Sequence, residues 1–539
     1  MVFRSLRASL LLCAAFLAQS AFGVTDLSQL ADGDSAGKIT ALRQIAAQGD
    51  MSALPALEAL QNGALYVVSP KDGKTRILIA DATGAVMDAA TGEHLPALPD
   101  AAESVTMNNR VRGALDVTLA ALRLTSEDAE TRLQAIRALK NNPEEKLLPL
   151  LEAALAKERD TEIAMRVRAV RALILLRSPE EKERLAAVRT LGKGSDPATL
   201  PLLRPLFVRD AQGRFLEPDA RIRAAARQAV SAIEGRVQAG ETLKRLFEGV
   251  SLGSILLLAA LGLAITYGLM GVINMAHGEL IMIGAYAAYA TQTVTQRDLP
   301  MLSDIWLWLA IPVSFLSAAA VGVLMERLVI RRLYGRPLET LLATWGISLL
   351  LIQLVRTVFG QQNVAVENPL WLSGGLEIVG AQILPWNRVA LIAFVALMLA
   401  AVAILLAKTR LGLFIRAATQ NRPMSRCMGV PTRRVDSLAF GLGAGLAGLA
   451  GCALSQIGNV GPELGQGYIV DSFMVVVVGG VGQIAGAVFA ALGLGILSKF
   501  IEGFAGAVLA KIAILLLIIL FIQKRPQGIF ALKGRFADA

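Results

Sequence analysis

The chain has 539 residues, enough for two or three domains; 54% are hydrophobic and 18% charged, and the mean hydropathy is +0.55. That is too apolar for an ordinary water-soluble chain of this length. The formal net charge of +10 is concentrated in short basic segments beside apolar runs (Arg331, Arg332 and Arg336; Lys408 to Arg434; Lys524 and Arg525), a positive-inside pattern that argues against a nucleic-acid partner.

Residues 1–23 have the form of a secretory signal. Arg4 and Arg7 precede an apolar stretch from Leu10 to Leu17, and Ala21-Phe22-Gly23 supplies a cleavage site before Val24. Ala18-Gln19-Ser20 is a second possible site, and an uncleaved anchor remains the alternative. Cys13 follows Leu12, where a lipoprotein would need a small residue. Removal of the signal leaves Cys427 and Cys452, one in a basic loop and one in an apolar helix, so no disulfide framework is expected.

Residues 24–245 are charged and are expected to fold as an exported domain. Ile39, Leu42, Ile45 and Ala46 carry helical periodicity. Between 64 and 99, Tyr66-Val67-Val68 and Ile77-Leu78-Ile79 flank Lys71-Asp72-Gly73-Lys74, and Gly84 and Gly92 punctuate the rest of the stretch, predicting a small β element. From Val111 to Glu234 helices return and repeat: Arg132 to Leu139 recurs as Arg166 to Leu173, as Arg184 to Leu191, and more loosely from Arg221. With Leu-rich second helices between the copies, this resembles HEAT-type pairs, which present an extended surface for a partner. An irregular helical domain whose arginines form a solvated face is the alternative.

Residues 250–530 predict an all-α polytopic membrane unit of about 8–9 transmembrane helices. Seven runs approach the roughly 20 apolar residues needed to span: Leu252–Ile273, Leu280–Val294, Ile305–Ile330, Leu338–Val358, Val389–Ala407, Leu438–Ile457 and Ala507–Ile522. The stretch from Ile469 to Phe500 has room for two short passes broken near Gly479-Gly480-Val481-Gly482. If the front half is exported, two passes or a re-entrant hairpin there put all three basic segments on the cytoplasmic side.

Enzyme motifs fail on inspection. Gly33-Asp34-Ser35-Ala36-Gly37-Lys38 is one residue short of a phosphate loop, and Gly73-Lys74-Thr75 lacks the leading glycine. The chain is therefore expected to bind no cofactor and to hydrolyse no ATP. Two histidines, His94 and His277, are too few for a metal cluster, and no metal site is expected.

Asn274, His277 and Glu279 lie between two apolar runs with hardly a loop to hold them, so they must face protein or water rather than lipid. They either cap a tight helix–helix turn or belong to a solute path or its gate. Thr344, Ser348 and Gln353 offer hydrogen-bonding groups to the same path, or pack helices. The segment from Arg416 to Val430, with Ala417, Ala418 and Gly429, is a basic loop suited to docking another protein or to resting on the membrane surface. Gly441 and Gly445 in one helix, and Gly479, Gly480, Gly482 and Gly486 around the break, suit close helix packing or gating. Glu326, Arg327, Lys499 and Lys511 are read as interfacial or snorkelling side chains.

Asn274-Met275-Ala276-His277-Gly278-Glu279, followed by Met282-Ile283-Gly284-Ala285-Tyr286, resembles the signature of ABC permeases of the branched-chain amino acid/amide type. The 416–430 loop is similar to that family's ATPase-coupling segment at Ala417, Ala418 and Gly429, although Arg416 stands where many ABC permeases have Glu. Gly479, Gly480, Gly482 and Gly486 fit its late glycine motif. The exported extension, Leu342-Ala343-Thr344-Trp345-Gly346-Ile347-Ser348, Asn363 and Asn368-Pro369-Leu370-Trp371 resemble the urea-permease subgroup. The resemblance implies a multi-pass subunit of a bacterial inner membrane. Its implied partners are a second permease subunit, two ATPase subunits that use the ATP, a periplasmic solute-binding protein and the lipid bilayer. Import of branched-chain amino acids or short amides, a passive urea channel, and a membrane-anchored scaffold are the other expectations carried forward.

Overall fold

The computed structural model describes residues 30, 34–49, 51–68, 76–80, 85–89, 91–99, 101–209, 211–271, 273–379 and 382–530. The signal-like segment 1–23 and the turns at 71–74 and 81–84 lie outside them. The chain divides into two compact units, Met1–Gly235 and Arg236–Ala539.

In the first unit, helix α1 (Ser35–Gln48) starts where the Asp34 carboxylate accepts the Gly37 amide, and ends at Gly49 in the left-handed region. Helix α2 (Leu54–Gln61) leads into the expected β element: β1 (Leu65–Val68), β2 (Arg76–Ala80), β3 (Val86–Asp88) and β4 (His94–Leu95), joined by β5 (Glu103–Ser104). All pairings are antiparallel in the order β4-β3-β2-β1-β5, with Leu65 opposite Ile79 and Val67 opposite Ile77. Strand alternation turns Leu65 and Val67 inward, onto a core with Leu42, Ile45, Leu57, Leu60, Leu115 and Leu119.

Six further helices follow before the unit ends: α3 (Asn109–Arg123), α4 (Ala129–Asn141), α5 (Leu148–Lys157), α6 (Thr161–Leu175), α7 (Glu181–Lys193) and α8 (Leu200–Phe207). Helix α9 (Ala220–Met270) begins in this unit and continues into the second. One turn geometry occurs three times. Arg132 donates through Nη1 to the carbonyls of Ser126 and Glu127, Arg184 to those of Ser178 and Pro179, and Arg223 to those of Glu217 and Pro218. Each arginine thus ties down the turn that precedes its own helix. Arg132 also pairs with Glu158 at 2.9 Å and Arg184 with Glu217 at 2.9 Å, and the latter pair holds the Arg184 guanidinium above its ordinary pKa. The structural repeat therefore runs through Arg132, Arg184 and Arg223. Arg221, where the sequence pattern places the loose copy, is two residues off, and Arg166 bonds Glu162 on its own helix.

The second unit is built from long apolar helices: the end of α9, α10 (His277–Asp298), α11 (Trp306–Leu328), α12 (Pro337–Phe359), α13 (Trp386–Lys408), α14 (Arg410–Gln420), α15 (Arg422–Cys427), α16 (Thr432–Ser455), α17 (Leu464–Gly479), α18 (Ile484–Ala505) and α19 (Ala507–Lys524). Seven helices among the described residues are long and apolar enough to cross a membrane; α10 is not among them and α17, at 16 residues, is shorter. The break expected near Gly479 lies between α17 and α18. A hairpin of β6 (Gly375–Ile378) and β7 (Gln382–Pro385) precedes α13, an element that residue order alone does not suggest.

Helix α16 is the centre of this unit. Its apolar window is 89% buried, against 17% for α13, so α16 meets protein on nearly every side while α13 is largely peripheral. Small residues permit this. A Cβ at Gly448 would stand 2.5 Å from Ala318 Cβ and from the Ser314 carbonyl on α11, and one at Gly443 would stand 2.6 Å from the Gly262 carbonyl on α9. In lipid, apolar contact alone gives helices no reason to associate, so backbone-close packing of this kind supplies the adhesion.

Candidate functional site

Helix α9 ends at Gly271, whose φ of +65° places it in the left-handed region and whose amide closes back on Tyr267 O at 2.8 Å. A short link then turns the chain into α10. Asn274 is 1% exposed, and its Oδ1 accepts the Ala276 amide at 3.1 Å, closing an Asx turn that stands in for a helix cap. The Met275 amide donates to Thr344 Oγ1 at 3.2 Å, and Thr344 passes its own proton to Leu341 O at 3.0 Å. Helix α12 is thereby tied to the link.

Four residues on from Thr344, Ser348 Oγ donates to Glu279 Oε1 at 2.8 Å in a buried hydrogen bond. Glu279 lies in the first turn of α10, where the helix dipole favours a negative charge. Thr340, Thr344, Ser348, Ile352 and Val355 form the buried stripe of α12, at spacings of three and four. Leu342, Trp345, Leu349 and Leu350 on its other side are exposed, as is Gln353. A spanning helix with polar groups inward and apolar groups outward reverses the water-soluble arrangement, as lipid requires. Gln353 therefore does not join the cluster.

His277 is fully buried, and its Nε2 lies 3.0 Å from the Ala259 carbonyl of α9. A carbonyl only accepts, so Nε2 carries the proton, and the histidine fastens the start of α10 to α9. Several side-chain atoms in this region have no protein partner: Asn274 Nδ2, His277 Nδ1, Glu279 Oε2 and Tyr286 Oη. Such groups are costly to bury and mark where hydrogen bonds remain to be made. Of the five residues singled out in sequence, Asn274, Glu279, Thr344 and Ser348 lie around the link and the first turn of α10. His277 belongs to the α9–α10 contact beside them.

The loop from 410 to 430 folds as two short helices. Arg416 is exposed and its Nη1 donates to the Leu406 carbonyl; Ala417 is half-buried and Ala418 buried on the inner face of α14, with Gly412 and Ile415. Gly429 ends the loop at φ +83°, with open space around it. Leu413, Met424 and Met428 are 57%, 59% and 78% exposed, an apolar set on an otherwise basic segment. The glycines expected to pack or gate fall into two groups. Gly441 faces Val323 and Gly445 faces the Phe315 ring, both across the α11–α16 contact. Gly479 and Gly486 touch backbone to backbone where α17 meets α18, while Gly480 (φ +98°) and Gly482 (φ +76°) shape the break. Gly480 has an additional neighbour. The tail folds over it, with Ile529 N donating to Val478 O at 2.8 Å and Phe530 stacked on Phe489.

Glu326 differs from its sequence reading. It does not snorkel: it is 0% exposed and accepts from Arg331 Nε at 3.0 Å, Arg331 Nη2 at 2.8 Å, Tyr334 Oη at 3.1 Å and Ser437 Oγ at 2.7 Å. The arginine five residues on was the available signal, but Tyr334 and Ser437 become neighbours only through folding.

Residues 245–522 match the family model of the branched-chain amino acid transport system / permease component. The high-affinity branched-chain amino acid transport system permease protein LivH of Salmonella typhimurium is 31% identical over 297 residues, covering 53% of this chain and 94% of that protein. BraD of Pseudomonas aeruginosa, with the same description, is 29% identical over 293 residues, covering 53% of this chain and 95% of its own. LivM of Escherichia coli is 26% identical over 302 residues, covering 52% of this chain and 68% of LivM. No solved structure gives a significant match. The buried polar link, the central glycine-thinned helix and the basic loop all lie within the matched span, and the chain belongs to the family of branched-chain amino acid transport system permease components.

Proposed function

We propose that the chain is the membrane subunit of an ATP-driven importer whose solute is urea. In this reading a second permease subunit, two ATPase subunits and a periplasmic binding protein complete the complex. The 24–245 segment works outside the cytoplasm as a HEAT-like partner surface, and the 410–430 loop receives the ATPase through Leu413, Met424 and Met428, exposed apolar side chains on a basic segment. Solute passes beside Asn274, Glu279, Thr344 and Ser348.

The observation that carries the choice of solute is the chemistry of that cluster. It offers an amide, two hydroxyls and one carboxylate, with no lysine or arginine among them. A neutral, hydrogen-bonding solute needs donors and acceptors and no counter-charge, which this cluster supplies. The relatives' names support a second reading, import of branched-chain amino acids through the same machinery.

Uptake of labelled urea and leucine, in cells lacking the gene with and without its return, separates the two. Restored urea uptake that collapses on ATP depletion supports the proposal. Restored leucine uptake alone keeps the importer and replaces its solute. Urea entry indifferent to ATP would mean a passive channel.

A further inference from the structure

A second buried polar network lies beside the link, where Tyr334 Oη is 3.2 Å from Met270 Sδ at the end of α9. Its first member is Arg422, which opens α15 inside the 410–430 loop. The guanidinium forms an ion pair with Asp436, whose side chain is 2% exposed in the first turns of α16, and its central carbon lies 4.8 Å from the centroid of the Tyr334 ring. Tyr334 in turn donates to Glu326 at the end of α11, and Glu326 receives Ser437 of α16 and Arg331 of the turn between α11 and α12. Arg331 Nη2 also donates to Ser437 Oγ at 2.7 Å, and Arg426 Nε to Thr432 Oγ1 at 3.0 Å. Loop, turn and two membrane helices are thus joined through continuous hydrogen bonds, an ion pair and a cation–π contact.

Burying two carboxylates is costly unless each is fully paired, and replacing such a network with apolar side chains often stabilises a fold. A contact needed for stability alone had cheaper solutions available. What this network adds is rigidity and register between the loop and α16. Helix α16 packs closely along α10, and α10 carries the Glu279 cluster. A displacement of the loop therefore reaches the polar link through one buried helix rather than through a chain of mobile contacts.

We propose that Arg422, Asp436, Tyr334 and Glu326 form a joint that makes the loop and α16 move as one body, coupling ATPase motion to the solute path. These are positioning residues, touching neither solute nor nucleotide. The proposal rests on the importer reading above.

The test reconstitutes the full complex into liposomes and measures labelled urea and leucine uptake together with ATP hydrolysis, for wild type and for Asp436→Asn. The isosteric amide keeps the volume and leaves Arg422 without its counter-charge. The expected result is ATP turnover within about twofold of wild type and solute moved per ATP lower by about tenfold. Wild-type uptake per ATP in Asp436→Asn would overturn the joint while leaving the importer intact. So would uptake and turnover that fall together in proportion to assembled complex, since that marks a purely structural contact. Should Asp436→Asn not assemble, the reciprocal Arg422→Asp/Asp436→Arg double variant decides: recovery of uptake per ATP supports the joint, and assembly without recovery refutes it. A wild-type complex that imports neither solute with ATP would overturn the importer reading itself, and the joint's role with it.

Discussion

Replacing Gly278 by alanine tests the packing that positions the polar link. Gly278 lies between His277 and Glu279, in the first turn of α10, where α17 crosses. A Cβ there would stand 2.6 Å from the Gly465 carbonyl oxygen and 2.9 Å from its carbon. Ordinary contact needs about 3.4 Å, so α10 and α17 must separate by about 0.8 Å, and the obstacle is backbone that has no rotamer to yield. Overpacking costs about 1–3 kcal/mol, while exchanging glycine for alanine in a helix returns about 0.5–1 kcal/mol. The net expectation is a loss of about 1 kcal/mol, within a range of about 0–2.5 kcal/mol. Gly346→Ala on α12 is the matched control: its position is helical, exposed and has nothing within 4 Å of a Cβ, so it keeps the gain without the clash. Heating the purified proteins in detergent and following the monodisperse fraction should separate the two variants by about 5 °C, with Gly278→Ala below wild type and Gly346→Ala at or above it. Uptake should follow the same order, because the displaced turn carries Glu279 and its 2.8 Å bond to Ser348. A Gly278→Ala protein as stable as Gly346→Ala would refute the claim that backbone contact holds α10 in place.

Ser348→Ala removes the donor to Glu279 and leaves a buried acceptor short of a partner, a loss of about 1–3 kcal/mol; uptake normalised to chain level should fall about tenfold, with Ser348→Thr retaining most of it. At Gly429 the demand is conformational rather than steric, so Gly429→Asn should transport nearly as well as wild type. Gly429→Arg, at a strain of about 1–2 kcal/mol, should lose coupled uptake and the loop's hold on the ATPase. In the first unit, hydrogen bonds from the Thr131 side chain and amide hold the Asp128 carboxyl below its ordinary pKa. A depressed folded value means the cap's contribution is complete above the ordinary carboxyl range and disappears as pH falls through the lowered one. Hydrogen exchange at the start of α4, relative to intrinsic rates, should therefore rise on acidification in wild type and stay level in Asp128→Asn.

The division into a charged half and an apolar half, the β element, the break after Gly479 and the position of the polar link were legible in the residue order. Each follows from local chemistry: helical or alternating periodicity, glycine where backbone must turn, and polar groups where lipid would otherwise surround them. What the link and the first turn of α10 bind was not legible, because the partners of Met275, His277 and Glu279 (Thr344, Ala259 and Ser348) lie between 18 and 69 positions away. Similarly, Glu326 at a helix end has the same sequence signature whether it reaches water or is sealed under Arg331, Tyr334 and Ser437. Ser437 lies 111 residues away, and only the packing of α16 against α11 brings it there. Glycine density marked α16 as a helix for close approach, but not that α9, α10 and α11 would all use it. Periodicity records which side of a helix is buried; the identity of what buries it is a long-range property, decided when backbones close to contact in the folded unit.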